Sequence, residues 1–443
     1  MHLNPVSTQS YWLKDAPFQT PSKDPLPSKA DIVIIGAGLT GLSTAYWVQQ
    51  MQPNLKIVVA DARGVSSGAT GRNGGICTPG LNDDFDAVID AYGEASAQRL
   101  VEFDYRNVEM LSEFLKNHAD NDKGFFDPEL TWTKGAILAW STAQEAEDAR
   151  PSAEILCKKI DDMRILSPEE LKQIPGFETF QYGGLHIKTT AIAWAAKIVF
   201  CLARYVTSQG RGVHIATYTK VDDVMWDEKR GVNTVHTNRG VIEAPRVVYC
   251  TNAWTARLLE DVRGILMPVR NQVVSVCAPP GAPRLEYVMS ADRGYQYMSC
   301  RPNGDFIMGG MRNVVPSKQE HEDDDSTLNT AVSNALRSFM ADVAKAPTVE
   351  REWVGVMGFT RDRLPLIGAV EHITGSTKNK GQFVAAGFTG HGMPRTFLCG
   401  RAAAQLLIDQ PLEEWFPPEF KVEHKSRQSW WKNKNSNQIK SNL

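Results

Sequence analysis

The stretch DIVIIGAGLTGLSTAYWVQQMQ, residues 31–52, decides the fold. DIVIIG is a continuous apolar run bounded by charge and glycine, as expected of a strand buried in a parallel sheet. From Gly41 onward, Leu42, Ala45, Tyr46 and Val48 fall at helical spacing, and Pro53 and Asn54 stop the helix. KIVVAD, residues 56–61, reads as a second strand, which completes a strand–helix–strand unit. Between the first strand and the helix stand Gly36, Ala37, Gly38, Leu39, Thr40 and Gly41. Gly36 permits the tight turn, Gly38 lets the backbone approach a pyrophosphate, and Gly41 lets the helix pack on the sheet. The helix N-terminus then faces the negative charge. Asp61 ends the second strand, where a carboxylate accepts both ribose hydroxyls and repels a 2′-phosphate. The glycine pattern alone is weak. With a strand before it, a helix after it and an acid at the next strand end, it specifies an ADP-containing cofactor.

The next loop, SSGATGRNGG at 66–75, has small side chains and many free N–H groups, so it can wrap an extended cofactor. FAD needs such a loop, because its flavin is carried further from the adenosine; NAD folds rarely do. This region contributes Gly36, Ala37, Gly38, Leu39, Thr40, Gly41, Asp61, Ala62, Arg63, Ser67, Gly68, Ala69, Thr70, Arg72, Asn73, Gly74 and Gly75 as candidate FAD-binding residues. A third motif, GFTGHGMPRT at 387–396, follows the buried strand Gln382–Ala386 and opens the helix Arg395–Ile408. Its N–H groups and positive helix end suit the flavin pyrimidine ring, where reduced flavin gathers negative charge. Gly390, His391, Gly392, Met393 and Thr396 join the set. His391 is either a base or a histidine that fills space and bonds backbone. A fourth motif, TRDRLPLIG at 360–368, reads alone as an exposed turn leading into a short strand.

Elsewhere, Ala87–Lys116 has helical period, LTWTKGAILAW (130–140) reads as two strands around Lys134 and Gly135, and Ser167–Gln173 opens a helix with a Ser/Glu cap. Ile192–Ser208 reads as a long apolar helix, and strand candidates run from 212 to 254 and from 265 to 312. The predicted fold class is α/β: a Rossmann-type FAD-binding domain interleaved with a smaller α+β substrate domain built on an antiparallel or mixed sheet. The expected FAD-binding segments are 28–84, 151–258 and 350–412, and the substrate domain takes 85–150 and 259–349. Residues 1–27 form an N-terminal arm and 413–443 a polar, basic tail.

A chain of 443 residues with 42% apolar and 22% charged residues has core material for two domains, which excludes a disordered scaffold. A net charge of −3 gives no support to a nucleic-acid partner. The seven cysteines include no CxxC pair, which argues against a metal site or disulfide framework and for reduced thiols in the cytoplasm. Met1–Lys29 lacks the apolar core of a signal peptide, and no apolar run reaches the roughly 18 residues of a membrane span. The end of the chain reads either as a solvated tail or as a peroxisomal address, since Ser441-Asn442-Leu443 differs only at its middle position from Ser-Lys-Leu.

The four motifs, in this order, resemble the D-amino-acid oxidase superfamily of FAD oxidoreductases, and more closely its glycine/sarcosine oxidase and γ-glutamylputrescine oxidase branch. GATGRNGG and GFTGHGMPRT carry the likeness, supported by MPVRNQVV (267–274), DFIMGG (305–310) and TRDRLPLIG, over a span from about Ser28 to Asp409. The resemblance implies FAD extended across the first domain and oxidation of an amine to an imine that water hydrolyses, with peroxide formed if oxygen is the acceptor. It adds Val221, Asn252, Ala253, Trp254, Gly358 and Asp362 to the FAD set. Met357 stands where some relatives attach flavin through cysteine, and Arg72 where others use histidine, so non-covalent FAD is expected. Ile307 takes the place of a lysine that helps monomeric sarcosine oxidases activate oxygen. Tyr295 and Tyr297 fall on a strand that the superfamily places over the flavin, as amine-pocket residues or as ordinary aromatics. Together with His391 they are the candidate catalytic residues. Arg301 and Arg312 are the candidates for a substrate carboxylate. The expected partners are a small amine or amino acid and oxygen or another acceptor. Alternatives are a dehydrogenase that passes electrons to a quinone or carrier, and a non-catalytic flavin-binding protein.

Overall fold

A computed structural model describes residues 7–80, 85–119, 124–208, 210–277, 284–344 and 348–428. The strand Ile32–Ile35 lies between Arg246–Tyr249 and Ile57–Ala60 and runs parallel to both. Val213–Ala216 and Gln382–Ala386 extend this sheet in parallel on either side, and Leu366–Ala369 closes one edge antiparallel, giving six strands. Side chains alternate across a strand, and here the alternation feeds two cores. Ile32 and Ile34 join a core with the helices Leu39–Met51, Ala195–Thr207 and Thr396–Leu407. Val33 and Ile35 join another with Val235 and Ile242 of an antiparallel meander, Val221–Asp227, Val232–Thr237 and Gly240–Ala244. Every residue of Ile32–Ile35 is therefore buried, which accounts for its unbroken apolar run.

The second large sheet has eight strands, in the order Val349–Thr360, Leu266–Val276, Phe306–Gly310, Gln296–Cys300, Val288–Ala291, Ala136–Ala139, Gly184–Ile187 and Met163–Leu166. It is antiparallel except where Val288–Ala291 meets Ala136–Ala139, in keeping with the mixed sheet expected. Its strands Met163–Leu166 and Gly184–Ile187 come from the expected FAD-binding segment 151–258, and Val349–Thr360 spans the expected boundary between 349 and 350.

Local expectations shift in instructive ways. Gly93, at φ 81°, breaks the stretch 87–116 into Phe85–Tyr92 and Glu94–His118. Ile192, the first residue of the expected helix, instead forms a short strand with Ala191 that pairs with Ile76–Cys77 and Thr131–Trp132, so the helix starts at Ala195. The capping box of Ser167 and Glu170 forms, but on a single turn, Pro168–Leu171. The tail is corrected more strongly. Phe416, Phe420 and Val422 are buried in the cores. Arg427 is fully buried, with Nε and Nη2 donating to Asp362 at 2.8 and 3.1 Å. Polar composition concealed a segment held by buried apolar side chains and by the buried Arg427–Asp362 pair. Ser441-Asn442-Leu443 lies outside the described residues.

Candidate active site

Residues that directly follow parallel strands, namely Gly36, Asp61 and Cys250, open onto a cleft of about 740 Å³ whose other wall is the eight-stranded sheet. Ligands of open α/β sheets bind at these carboxyl ends. Gly36 has φ 108°, and a Cβ there would lie 2.6 Å from the Cys250 carbonyl oxygen, so only glycine makes this turn. A Cβ at Gly41 would lie 1.9 Å from Gly36 O, so Gly41 is a packing residue behind the cleft. The helix Leu39–Met51 starts at Gly38 without a side-chain cap, and Gly38, Leu39 and Thr40 line the cleft. Asp61 accepts from the N–H of Ala37 and of Arg63, both at 2.8 Å, which pins its carboxylate at the cleft. Burial raises its pKa against the lowering effect of those two bonds.

Buried polar atoms normally find partners. Four on cleft-lining residues have none: Thr78 Oγ1, Trp254 Nε1, Arg257 Nη1 and Thr396 Oγ1. Together with the uncapped helix start and the pinned carboxylate, they fit a long polar cofactor such as FAD.

At the other end, the turn Thr389–Pro394 leads into the helix Thr396–Leu407. Arg395, at its start, is buried in a two-point pair with Asp104 at 2.8 and 3.1 Å. Burial pushes the Asp104 carboxyl up to about 6 despite the guanidinium beside it. His391 Nδ1 lies 2.9 Å from the Thr389 carbonyl oxygen, so its N–H is assigned there and Nε2 is left as an acceptor. Burial, then the Arg395 and Arg363 charges, lowers this imidazole to about 4. Tyr297 accepts a hydrogen bond from Asn271 Nδ2 at 2.8 Å. Its side chain is wedged between two glycines: a Cβ at Gly74 would lie 2.7 Å from the ring, and one at Gly309 would lie 2.1 Å from the phenolic oxygen and 2.3 Å from the ring. Burial raises the phenol's pKa, so it stays neutral. The Arg312 guanidinium lies 4.6 Å from the Tyr295 ring centre and 5.5 Å from that of Phe359, and donates to Lys318 O at 3.1 Å. Burial lowers its pKa. Among the described residues lining the cleft, the acids are Asp61, which follows the strand Ile57–Ala60, and Asp222, on Val221–Asp227.

The cleft thus brings together Ala62, Arg63, Gly68, Ala69, Thr70, Arg72, Asn73, Gly74, Val221, Asn252, Trp254, Gly390, His391, Gly392, Met393, Thr396, Tyr295, Tyr297 and Arg312. Ala37, Ser67, Gly75, Ala253 and Gly358 stand behind its wall; Gly358, for instance, packs on Asn252, where a Cβ would lie 2.7 Å from Oδ1. Two of the expected residues lie elsewhere. Arg301 is buried away from the cleft, paired with Glu129 at 2.8 Å and set near the rings of Trp12 and Trp194. Asp362 is the anchor of Arg427 and Tyr92. Asn271 was missed, although a polar residue inside the apolar run LMPVRNQVVSV is itself a signal that something holds it.

A family model described as FAD dependent oxidoreductase matches residues 31–406. The chain belongs to this family. This FAD-dependent oxidoreductase is 22% identical over 418 residues to the probable oxidoreductase OrdL of Rhizobium meliloti (strain 1021), covering 93% of this chain and 91% of that one. It is 23% identical over 421 residues to gamma-glutamylputrescine oxidoreductase of Escherichia coli (strain K12), covering 90% and 89%. Glycine oxidase from Geobacillus kaustophilus has the same fold, with a TM-score of 0.71 at 19% identity over 89% of this chain and 98% of that one. L-Proline dehydrogenase from P. horikoshii gives 0.70 at 20% identity over 91% and 99%. FAD is the cofactor of the enzyme, held non-covalently, and Met357 lines the cleft. Among the described residues, no helix is long and apolar enough to cross a membrane.

Proposed function

We propose that the enzyme oxidises a small amine or amino acid at the carbon bonded to nitrogen. Bound FAD supplies a two-electron acceptor at N5 for the hydride leaving that carbon. The nitrogen lone pair closes the C=N bond, and water hydrolyses the imine to a carbonyl compound and ammonia, or an amine where the nitrogen carried a second carbon. The observation that carries this reading is the polarity of the cleft. Its lining acids among the described residues are Asp61, which follows Ile57–Ala60, and Asp222, on Val221–Asp227, while the far end offers Tyr295, Tyr297, His391 and Arg312. A carboxylate at the far end would hold the amine as an ammonium, whose lone pair is occupied by a proton. His391, uncharged above about pH 4, offers Nε2 to an amine N–H. Tyr297, already accepting from Asn271, keeps its own proton to donate. Arg312 is the remaining candidate for a substrate carboxylate. Holding the C–H bond in line is the main task of these groups. The division into an FAD-binding lobe and a substrate lobe belongs to the same proposal.

With oxygen as acceptor, the electrons leave as peroxide. A second reading is a dehydrogenase that hands them to a quinone or carrier. It is favoured by Ile307, a fully buried apolar residue at the position of the oxygen-activating lysine. Substrate deuterated at the carbon next to nitrogen tests the bond broken. Flavin reduction slower than with the protiated compound, with one carbonyl product per flavin reduced, supports the reading; equal rates without carbonyl product oppose it. Peroxide release under air separates oxidase from dehydrogenase.

A further inference from the structure

The chain ahead of the first strand lies on the loop that wraps the cofactor. Trp12 Nε1 donates to Asn73 O at 2.6 Å, and Ser10 Oγ donates to Gly71 O at 2.6 Å. Gln19 Nε2 donates to Val65 O at 2.8 Å, and its Oε1 accepts from Ser67 Oγ at 3.0 Å. Close approach is built in from the loop's side as well: a Cβ at Gly64 would lie 2.4 Å from Gln19 Oε1, and one at Gly75 would lie 3.0 Å from the Trp12 ring.

The centre of this contact is Arg72, which lines the cleft and is 3% exposed. Its nearest carboxylate, Asp325, is 3.7 Å from Nε. The guanidinium is satisfied largely by neutral oxygens. Nη2 donates to Ser7 Oγ at 2.7 Å, and Nη1 donates to Thr8 Oγ1 at 3.2 Å and to Val354 O at 2.8 Å. Thr8 Oγ1 also accepts from Val354 N at 2.8 Å and donates to Asp325 O at 3.0 Å. One arm hydroxyl thus joins the cofactor loop, the strand Val349–Thr360 and the Asp325 turn. A buried cation that loses its acceptors is costly and moves to recover them. Arg72 itself stands in the loop that lines the cleft, so a shift of its guanidinium bears on that wall.

We infer that the segment Ser7–Gln19 is a clamp that sets how tightly the enzyme retains FAD. Its polar groups hold the wall of the cleft formed by Gly68–Gly74 in the shape the cofactor needs. The inference goes beyond the proposed reaction and would stand with any substrate.

The test is release of FAD from the purified holoenzyme, followed by free-flavin fluorescence after dilution, beside the melting temperature of the flavin-stripped protein. Thr8→Val keeps shape and removes the hydroxyl; Trp12→Phe keeps the ring and removes the N–H donor. The clamp predicts release about tenfold faster for each, with flavin-free melting within about 2 °C of the parent. Unchanged release in both variants overturns it. So does a fall in flavin-free melting large enough to account for the faster release, since that marks a purely structural contact. A parent protein that holds no FAD would instead contradict the family's cofactor.

Discussion

The Tyr297 side chain lines the cleft and is fixed from three sides, by Gly74, by Gly309 and by the Asn271 amide, which leaves its O–H free of an internal acceptor among the described hydrogen bonds. A phenol that donates to a reacting or charged group is worth about a ten- to hundredfold in rate. Tyr297→Phe is expected to lower kcat/KM by that amount in steady-state assays, and unchanged kinetics would remove Tyr297 from the reaction. His391 gives a prediction in pH. Its folded-state pKa is depressed from 6.5 to about 4, so the unfolded chain takes up its proton first as pH falls. The stability it contributes is present above about 6.5 and is lost between there and about 4. His391→Asn is expected to flatten the decline of melting temperature over that window. An unchanged slope would show that the ring is solvated.

At the scale of elements, the helix Thr396–Leu407 is aimed at the cleft by the buried pair of Arg395 with Asp104, which lies on Glu94–His118. Removing one partner leaves an uncompensated charge. Asp104→Asn is expected to cost roughly 3–5 kcal/mol of unfolding free energy in urea. Asp104→Leu combined with Arg395→Met should recover much of it; equal loss in both would deny that the unpaired charge is the cause. The cofactor cradle was legible in the sequence because turn glycines, strand, helix and terminal acid lie within one local unit. Sheet membership was not, because Val349–Thr360 pairs with Leu266–Val276 across a gap that periodicity does not span. Arg301 and Arg312 looked equivalent for a related reason. Arg301 is drawn off by Glu129 and by Trp12 of the arm, groups far away in the chain. Polar composition likewise hid the packing of Phe420 and Arg427.

For the whole molecule, the segments Ser7–Gln19 and Pro418–Arg427 both fold back onto the body of the enzyme. The arm binds the cofactor loop, and Arg427 reaches Asp362 and the carbonyl oxygens of Leu364, Pro365 and Phe420. Arg427→Met is expected to lower the melting temperature while leaving the bound flavin's visible spectrum unchanged, because Asp362 stands outside the cleft. Loss of flavin without loss of stability would contradict that assignment. In the reaction proposed, the cleft joins FAD to an amine whose C–H bond is oxidised. The most direct test of that reaction is anaerobic mixing of the holoenzyme with amines, N-methyl amino acids and D- and L-amino acids, with the visible flavin band recorded throughout. Bleaching by at least one of these amines, and not by the matching alcohols or hydroxy acids, is the result predicted. A band that persists with every amine, or that bleaches equally with the hydroxy compounds, would contradict it.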